Sequence, residues 1–472
     1  MLMWKIRILL FMATVYVAHA QQYTLKKGVV IDSIAVNDSI PESFSLFLPT
    51  SFETDRNWPV IFIFDMEGKG RQAIRMNMGA AEDQGYILVA SNNVSDTLST
   101  SQNILVTGRM FNTVVKLLPI SKNRTYTSGL GNGAQFASVL PFFVKQISGV
   151  ISCGAAYTNL EALNPKQPFH WIGIVGKEDY AYTEMLATKS MLDKFKLPNN
   201  LIVLEGERAW PDPKYLKKAM GILTLAAMAK GDMDKDDTYI DRSFDTGLKE
   251  IQDLIRSDKL LQADNLLDVA LSVYRTHKET DTLRDIRKQL KKNKVYKAML
   301  RDANNAMLKE SFIKNDFLYA LEEDIATYNF NNLGWWMYQM GELKKYGGSR
   351  SVAERQMGKR LPGYLNALID DHIAMLEEEK EVDLEALELL WMLKTITAPK
   401  EYGNYLKIIG NSAKKDDFGT ALFYTEELLK NGFADKAALY KLDHTALLRI
   451  TPEFNQIVEK YLKGARYEAI VD

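Results

Sequence analysis

The chain has 472 residues but only one cysteine and five histidines. The cysteine, Cys153, cannot close an internal disulfide, so the fold must hold without a covalent staple. It follows the apolar run Gly149-Val150-Ile151-Ser152 and reads as a buried strand-end thiol. No basic partner that would make it reactive lies nearby in sequence. Charge of one sign is also lacking: 59 Lys and Arg face 60 Asp and Glu, a net charge of -1. Neither nucleic acid nor an anionic membrane is therefore expected as a partner. No His, Cys or carboxylate cluster has metal-ligand spacing, and no phosphate-binding loop sits between a strand and a helix, so no metal or cofactor is expected. Beyond the first twenty positions no apolar run is long enough to cross a bilayer, and no transmembrane segment is expected.

Those first twenty positions have the pattern of a secretory signal. Lys5 and Arg7 precede the short apolar stretch from Ile8 to Val17, and Ala18-His19-Ala20 supplies small residues before Gln21. The protein is expected to be exported, to a periplasm or the extracellular space. Sequons at Asn37, Asn93 and Asn123 matter only in a host that glycosylates.

From residue 21 to 229, short apolar runs alternate with helical patterns. Candidate strands are 29–36, 44–48, 59–64, 86–91, 125–128, 149–153, 171–175 and 201–204; helix-like stretches are 72–84, 103–118, 134–144, 183–195 and 214–228. Continuous β-branched runs suit strands covered on both faces, so this part is expected to be a three-layer α/β domain with a mostly parallel sheet. Residues 230–243 open with a polar, acidic run and read as a linker. From 244 to 472 apolar residues recur at spacings of three and four, which predicts an all-α domain of paired helices resembling tetratricopeptide repeats. The best single unit runs from Asp416 to Phe433. The adjacent Trp335 and Trp336 cannot both point the same way along a helix, which leaves one of them to cover a neighbour or meet a partner.

The stretch Arg124 to Ala134 reads as strand, Gly-rich turn and helix start, the frame of a nucleophile elbow, G-x-S-x-G. Here the frame is Gly129-Leu130-Gly131-Asn132-Gly133, so the position that should carry a reactive oxygen is Gly131. Together with Ser45–Pro49, Pro59–Asp65, Gly149–Ala155, Ile174–Tyr180 and Leu204–Pro211, this order of segments resembles the α/β-hydrolase superfamily, in particular secreted esterases, dienelactone hydrolases and polyhydroxyalkanoate depolymerases. The resemblance implies an acid after the seventh strand, where Asp179 stands. It implies a histidine just before Trp210-Pro211, where Arg208 stands, and an oxyanion loop beginning His-Gly, where Asp65-Met66-Glu67-Gly68-Lys69-Gly70 stands. The degenerate triad positions are then Gly131, Asp179 and Arg208. The cleft candidates are Asp65, Gly68, Gly70, Asn132 and Trp210.

Histidine supply leads to the same conclusion. His19 lies in the signal, and His277, His372 and His444 lie in the helical part. Only His170 remains, at the amino end of a strand, opposite the expected site, where it reads as a partly exposed residue. A serine mechanism needs nucleophile and base in hydrogen-bond contact. Ser128 and Ser138 are not at the elbow, and the neighbouring Glu178 and Asp179 read as solvated loop charges. Asp179 and Arg208 are expected to form an ion pair. The functional expectation is an exported pseudo-hydrolase that binds a small molecule in its degenerate cleft or a protein on its helices. The alternatives are an active serine-type esterase with atypical residues and a helical-repeat interaction scaffold.

Overall fold

The β-branched runs form a sheet of eight strands: β1 (Val30–Asn37), β2 (Ile40–Phe47), β3 (Trp58–Phe64), β4 (Ile87–Ser91), β5 (Ile120–Leu130), β6 (Ile147–Cys153), β7 (His170–Gly176) and β8 (Asn199–Leu204). The computed structural model describes residues 25–37, 39–157 and 168–467; the expected signal at 1–20 lies outside the described residues. The strand order is β1-β2-β4-β3-β5-β6-β7-β8. The strand β2 is antiparallel to both its neighbours, and β3 to β8 are parallel. This is the order and sense of an α/β-hydrolase sheet, and each expected strand overlaps an observed one.

Every residue of β3, β4 and β7 is buried, because helices cover both faces. On one face lie α1 (Gly70–Gln84) and α5 (Pro213–Lys230), which pack Ile74, Leu216 and Met220 onto Ile61, Ile63 and Leu88. On the other lie α2 (Thr100–Leu117), α3 (Asn132–Phe143) and α4 (Tyr182–Lys194), which pack Met110, Leu140 and Met185 into the core with Phe62, Phe64 and Val150. Local signals set the helix starts. Ser99 and Gln102 close a reciprocal capping box at α2, with each side chain accepting from the other's backbone N–H.

The connection to the second half is shorter than the expected linker. Helix α6 (Asp237–Arg256) begins directly after its N-cap Asp236, whose carboxylate accepts from Tyr239 N–H at 2.9 Å. Residues 237–243 are therefore helical, and the acidic run supplies a cap; Ile240 and Phe244, one turn apart, are both buried.

The rest is helical: α7 (Leu260–Tyr274), α8 (Asp281–Lys292), α9 (Lys294–Thr327), α10 (Leu333–Lys345), α11 (Val352–Glu377), α12 (Leu384–Thr397), α13 (Tyr402–Lys414), α14 (Phe418–Lys430), α15 (Lys436–Lys441), α16 (Ala446–Arg449) and α17 (Pro452–Leu462). The unit expected at 416–433 is α14, whose Ala421 and Leu428 are fully buried in one cluster with Ile408 and Ile409 of α13. The 34 residues of α9 and 26 of α11 are longer than a repeat helix, so the array is irregular. Trp336 is fully buried, while Trp335 is partly buried and lies edge-on against it and Phe317, with ring centroids 4.8 and 6.5 Å away, so one ring is core and the other covers a neighbour, as expected.

The two halves interlock. The Asn265 amide of α7 accepts from Val203 N–H at 3.0 Å and donates to the Leu201 carbonyl at 2.9 Å, occupying the open edge of β8. At the carboxyl end of the sheet, α9 and α11 pack on the loops that follow β7 and β8. There the buried Arg360 pairs with the buried Glu310 and donates to the Lys177 carbonyl.

Candidate functional site

At the carboxyl end of β5 the chain turns sharply into α3. Gly131 makes the turn at φ 58, ψ -124, a left-handed geometry that costs an ordinary residue about 1–3 kcal/mol. The flanking glycines are steric requirements. A Cβ on Gly129 would run into the Gly133 backbone, and one on Gly133 into the Phe64 carbonyl. The elbow frame is thus intact in the backbone.

What fills the space above it comes from elsewhere. A Cβ on Gly131 would lie 2.5 Å from Arg208 Nη2 and 3.3 Å from Cζ and Nε of the same side chain. Arg208 reaches in from the loop after β8. Its guanidinium lies 4.3 Å over the Tyr180 ring, and its Nη1 stands 3.5 Å from Asp179 Oδ1. Asp179, just beyond β7, is 2% exposed and accepts from Ala181 N–H at 2.9 Å. Burial pushes its carboxyl above the usual range, against the opposing pull of the Ala181 N–H and of Arg208. The expected approach of Asp179 and Arg208 is present.

The neighbouring carboxylates point apart and are not solvated as expected. Asp179 faces the elbow, while Glu178 turns to α11, with Oε2 2.8 Å from Lys359 Nζ. Helix α11 also closes the outer side of Tyr180: a Cβ on Gly363 would stand 3.1 Å from Tyr180 Cδ1. The layers over Gly131 are therefore Arg208, Tyr180 and the helical half.

The loop after β3 satisfies itself. Asp65 accepts from Glu67 N–H at 2.9 Å through its side chain and from Gly68 N–H at 3.0 Å through its carbonyl. Gly68 has φ 70, Gly70 is pressed on the Asn92 side chain, and Lys69 pairs with Glu67. The Asn132 amide donates to Asp96 Oδ2 at 3.3 Å. Trp210 packs against the core on the α5 side. The structure thus brings Gly131, Asp179 and Arg208 together, sets the 65–70 loop beside them, and gives Trp210 to the core.

No described histidine reaches this site. His170 lies at the amino end of β7, as expected, but it is buried, not partly exposed: β6, β8 and α5 enclose it, and Nε2 stands 2.8 Å from Asn200 Oδ1. Burial pushes its imidazole down to about 4. His277 and His372 bond the backbone carbonyls of Leu225 and Leu368. Ser138 donates to the Ala134 carbonyl at 2.8 Å, and Ser128 is buried inside β5 with no partner among the described residues. Cys153 is fully buried, and its thiol is pushed up by that burial. Among the described residues no cluster of ligating side chains could hold a metal ion, and no helix is long and apolar enough to cross a membrane. Cavities of about 500, 350 and 530 Å³ lie within the helical half, at the interface beside Arg360, and at the amino end of the sheet, all away from Gly131.

No protein-family model and no curated protein matches the chain. Among solved structures it is similar to the S-formylglutathione hydrolase of Staphylococcus aureus, at 12% identity over 43% of this chain and 99% of that one, with a TM-score of 0.34. It is also similar to Est1E from Butyrivibrio proteoclasticus, at 10% identity over 42% and 99%, TM-score 0.34. A third is esterase 2 of Thermogutta terrifontis, at 11% over 46% and 100%, TM-score 0.35.

Two contributors to the site were not anticipated. Tyr180 follows Asp179 directly, but nothing in the sequence says that its ring stacks on Arg208. Gly363 and Lys359 come from a helix about 180 residues away along the chain, and only the folded arrangement reveals their place.

Proposed function

We propose that this chain is an exported, catalytically inert protein of the α/β-hydrolase fold, whose binding work is done by its helical half. One observation carries the inert reading: the Arg208 guanidinium occupies the space that a nucleophile's side chain would need above Gly131. In a serine hydrolase, loss of the nucleophile or the base alone costs on the order of a million-fold in kcat. Position 131 offers no side chain, and the arginine at position 208 presents only hydrogen-bond donors and no acceptor that could take the proton. In this reading Gly131, Asp179 and Arg208 are the former triad positions, and the ion pair replaces an imidazole–carboxylate contact.

The same plug argues against a ligand in the former cleft, because Tyr180 and α11 cover Arg208. A protein partner on the helices is better supported. The cavity of about 500 Å³ there is lined by Phe330, Leu333, Met392 and Tyr424, and Phe423 at its edge is 58% exposed. Glu385, Lys415 and Asp417 give it a mixed polar rim, the composition of an apolar anchor site with polar surroundings. Export rests on the pattern of the first twenty residues. The test is hydrolysis of p-nitrophenyl acetate and butyrate by the full chain. The rate is expected to equal that of a heat-denatured sample; turnover above that control would refute the proposal.

A further inference from the structure

Helix α9 has 34 residues and two unlike faces. One is core: Phe317 and Leu321 pack with Leu361 and Leu365 of α11. The opposite face carries Leu308, Phe312 and Tyr319, which are 58, 60 and 68% exposed. Apolar residues scattered singly over a surface need no partner, whereas a continuous stripe marks an interaction surface. These three belong to such a stripe. Arg301, Asn305, Leu308, Phe312, Asp316, Tyr319 and Glu323 follow one another at spacings of three and four, which keeps them on one side of the helix, and every one of them is exposed. The stripe is about 33 Å long.

Charge along the helix selects what covers it. The exposed cations Lys294, Lys297 and Arg301 lie in its first third, and the exposed carboxylates Asp316, Glu322 and Glu323 lie in its second half. None of these six side chains has an ion pair or a hydrogen bond among the described residues. The exposed Lys309 between them is already paired, 3.0 Å from Glu354. A face that is basic at one end and acidic at the other complements a second copy of itself laid antiparallel. The stripe is also symmetric about Phe312. Arg301 and Glu323 stand equally far to either side of it in sequence, and so do Asn305 and Tyr319. A two-fold axis at Phe312 therefore sets the two Phe312 rings against each other, with Leu308 one turn away to flank them. It brings each Tyr319 hydroxyl across from an Asn305 amide and each Arg301 across from a Glu323.

We infer that this face is covered by a second copy of the chain, in a dimer whose two α9 helices pair antiparallel through Phe312. The inference rests neither on the reading of Gly131 nor on the helical cavity. One helix from each copy makes a smaller contact than a standard interface of about 1,600 Å², so a dissociation constant on the order of 10–100 μM is expected. Sedimentation velocity of the full chain across about 1 to 300 μM tests it. A monomer–dimer equilibrium is expected, weakening as salt rises. Phe312→Asp should abolish the dimer. Arg301→Glu and Glu323→Arg should each weaken it about tenfold, and the chain carrying both reversals should regain the original affinity to within about twofold, because each copy then meets its complement again. All three side chains are exposed, so circular dichroism and melting temperature should not change. A chain that stays monomeric throughout, a dimer indifferent to Phe312→Asp in folded protein, or a double reversal as weak as either single one would each overturn the inference.

Discussion

At the scale of single residues, Arg208 and Asp179 form the unit on which the site turns. Removing the arginine leaves a carboxylate that is 2% exposed without its cation. Fully buried pairs lose about 3–5 kcal/mol in this way. Arg208 keeps 24% of its side chain exposed and its contact is long, so Arg208→Met is expected to cost on the order of 2 kcal/mol at pH 7. The sign with pH follows from the direction of the shift. The folded carboxyl is already raised, and losing Arg208 raises it further. The folded state of the variant then holds its proton to higher pH than the unfolded state does, and the penalty fades as pH falls through that raised value. Denaturant melts of both proteins at pH 7 and pH 4 check this: the gap should be smaller at pH 4. His170 behaves oppositely. Burial holds it at about 4, below the ordinary histidine value of 6.5, so its contribution is present above about 6.5 and is lost as pH falls toward 4. A His170→Gln variant should flatten that part of the stability–pH curve by up to about 3 kcal/mol. An unchanged slope would place the acid sensitivity elsewhere. The absence of a side chain at position 131 was legible in the sequence directly. The burial of His170 was not, since strand position says which end of the sheet a residue occupies and not what covers it.

At the scale of elements, the turn at Gly131 is held in shape by packing, with Gly129 against the Gly133 backbone and Gly133 against the Phe64 carbonyl. Gly131→Ser would place a Cβ against Arg208 and in a left-handed backbone. It should lower stability by about 1–3 kcal/mol and bring no ester hydrolysis, alone or with Arg208→His, because Tyr180 and α11 still cover the turn. Thermal melts and the p-nitrophenyl acetate assay check both parts. The strands were legible because burial on both faces writes continuous β-branched runs. The linker was misjudged at 237–243 because the Asp run that signals a loop also supplies an N-cap, and Ile240 and Phe244 are too few apolar positions to announce a helix by themselves. The different fates of Trp335 and Trp336 were legible because adjacent helix positions point apart: Trp336 is buried, and Trp335 is partly buried as a cover over Phe317.

At the scale of the whole molecule, the two halves cover each other's weak points. The Asn265 amide occupies the edge of β8 that an isolated sheet would expose. Glu310, Arg360 and Lys314 form a buried charged cluster that reaches Glu184 and the Lys177 carbonyl. Arg360→Leu leaves Glu310 with Lys314 alone, and it is expected to cost about 3–5 kcal/mol. In calorimetry the intact chain should unfold in one transition and the variant in two, as the halves uncouple; a single transition in the variant would mean the coupling lies elsewhere. Such long-range contacts join residues far apart in sequence, which is why the covering of the cleft could not be read from the chain alone.

The central claim is that no activated oxygen faces the space above Gly131. Intact-mass spectrometry after incubation with a fluorophosphonate measures this directly. The account expects the mass of the chain to stay unmodified, as for the denatured control. A single phosphonyl adduct on one serine of the native protein would contradict it.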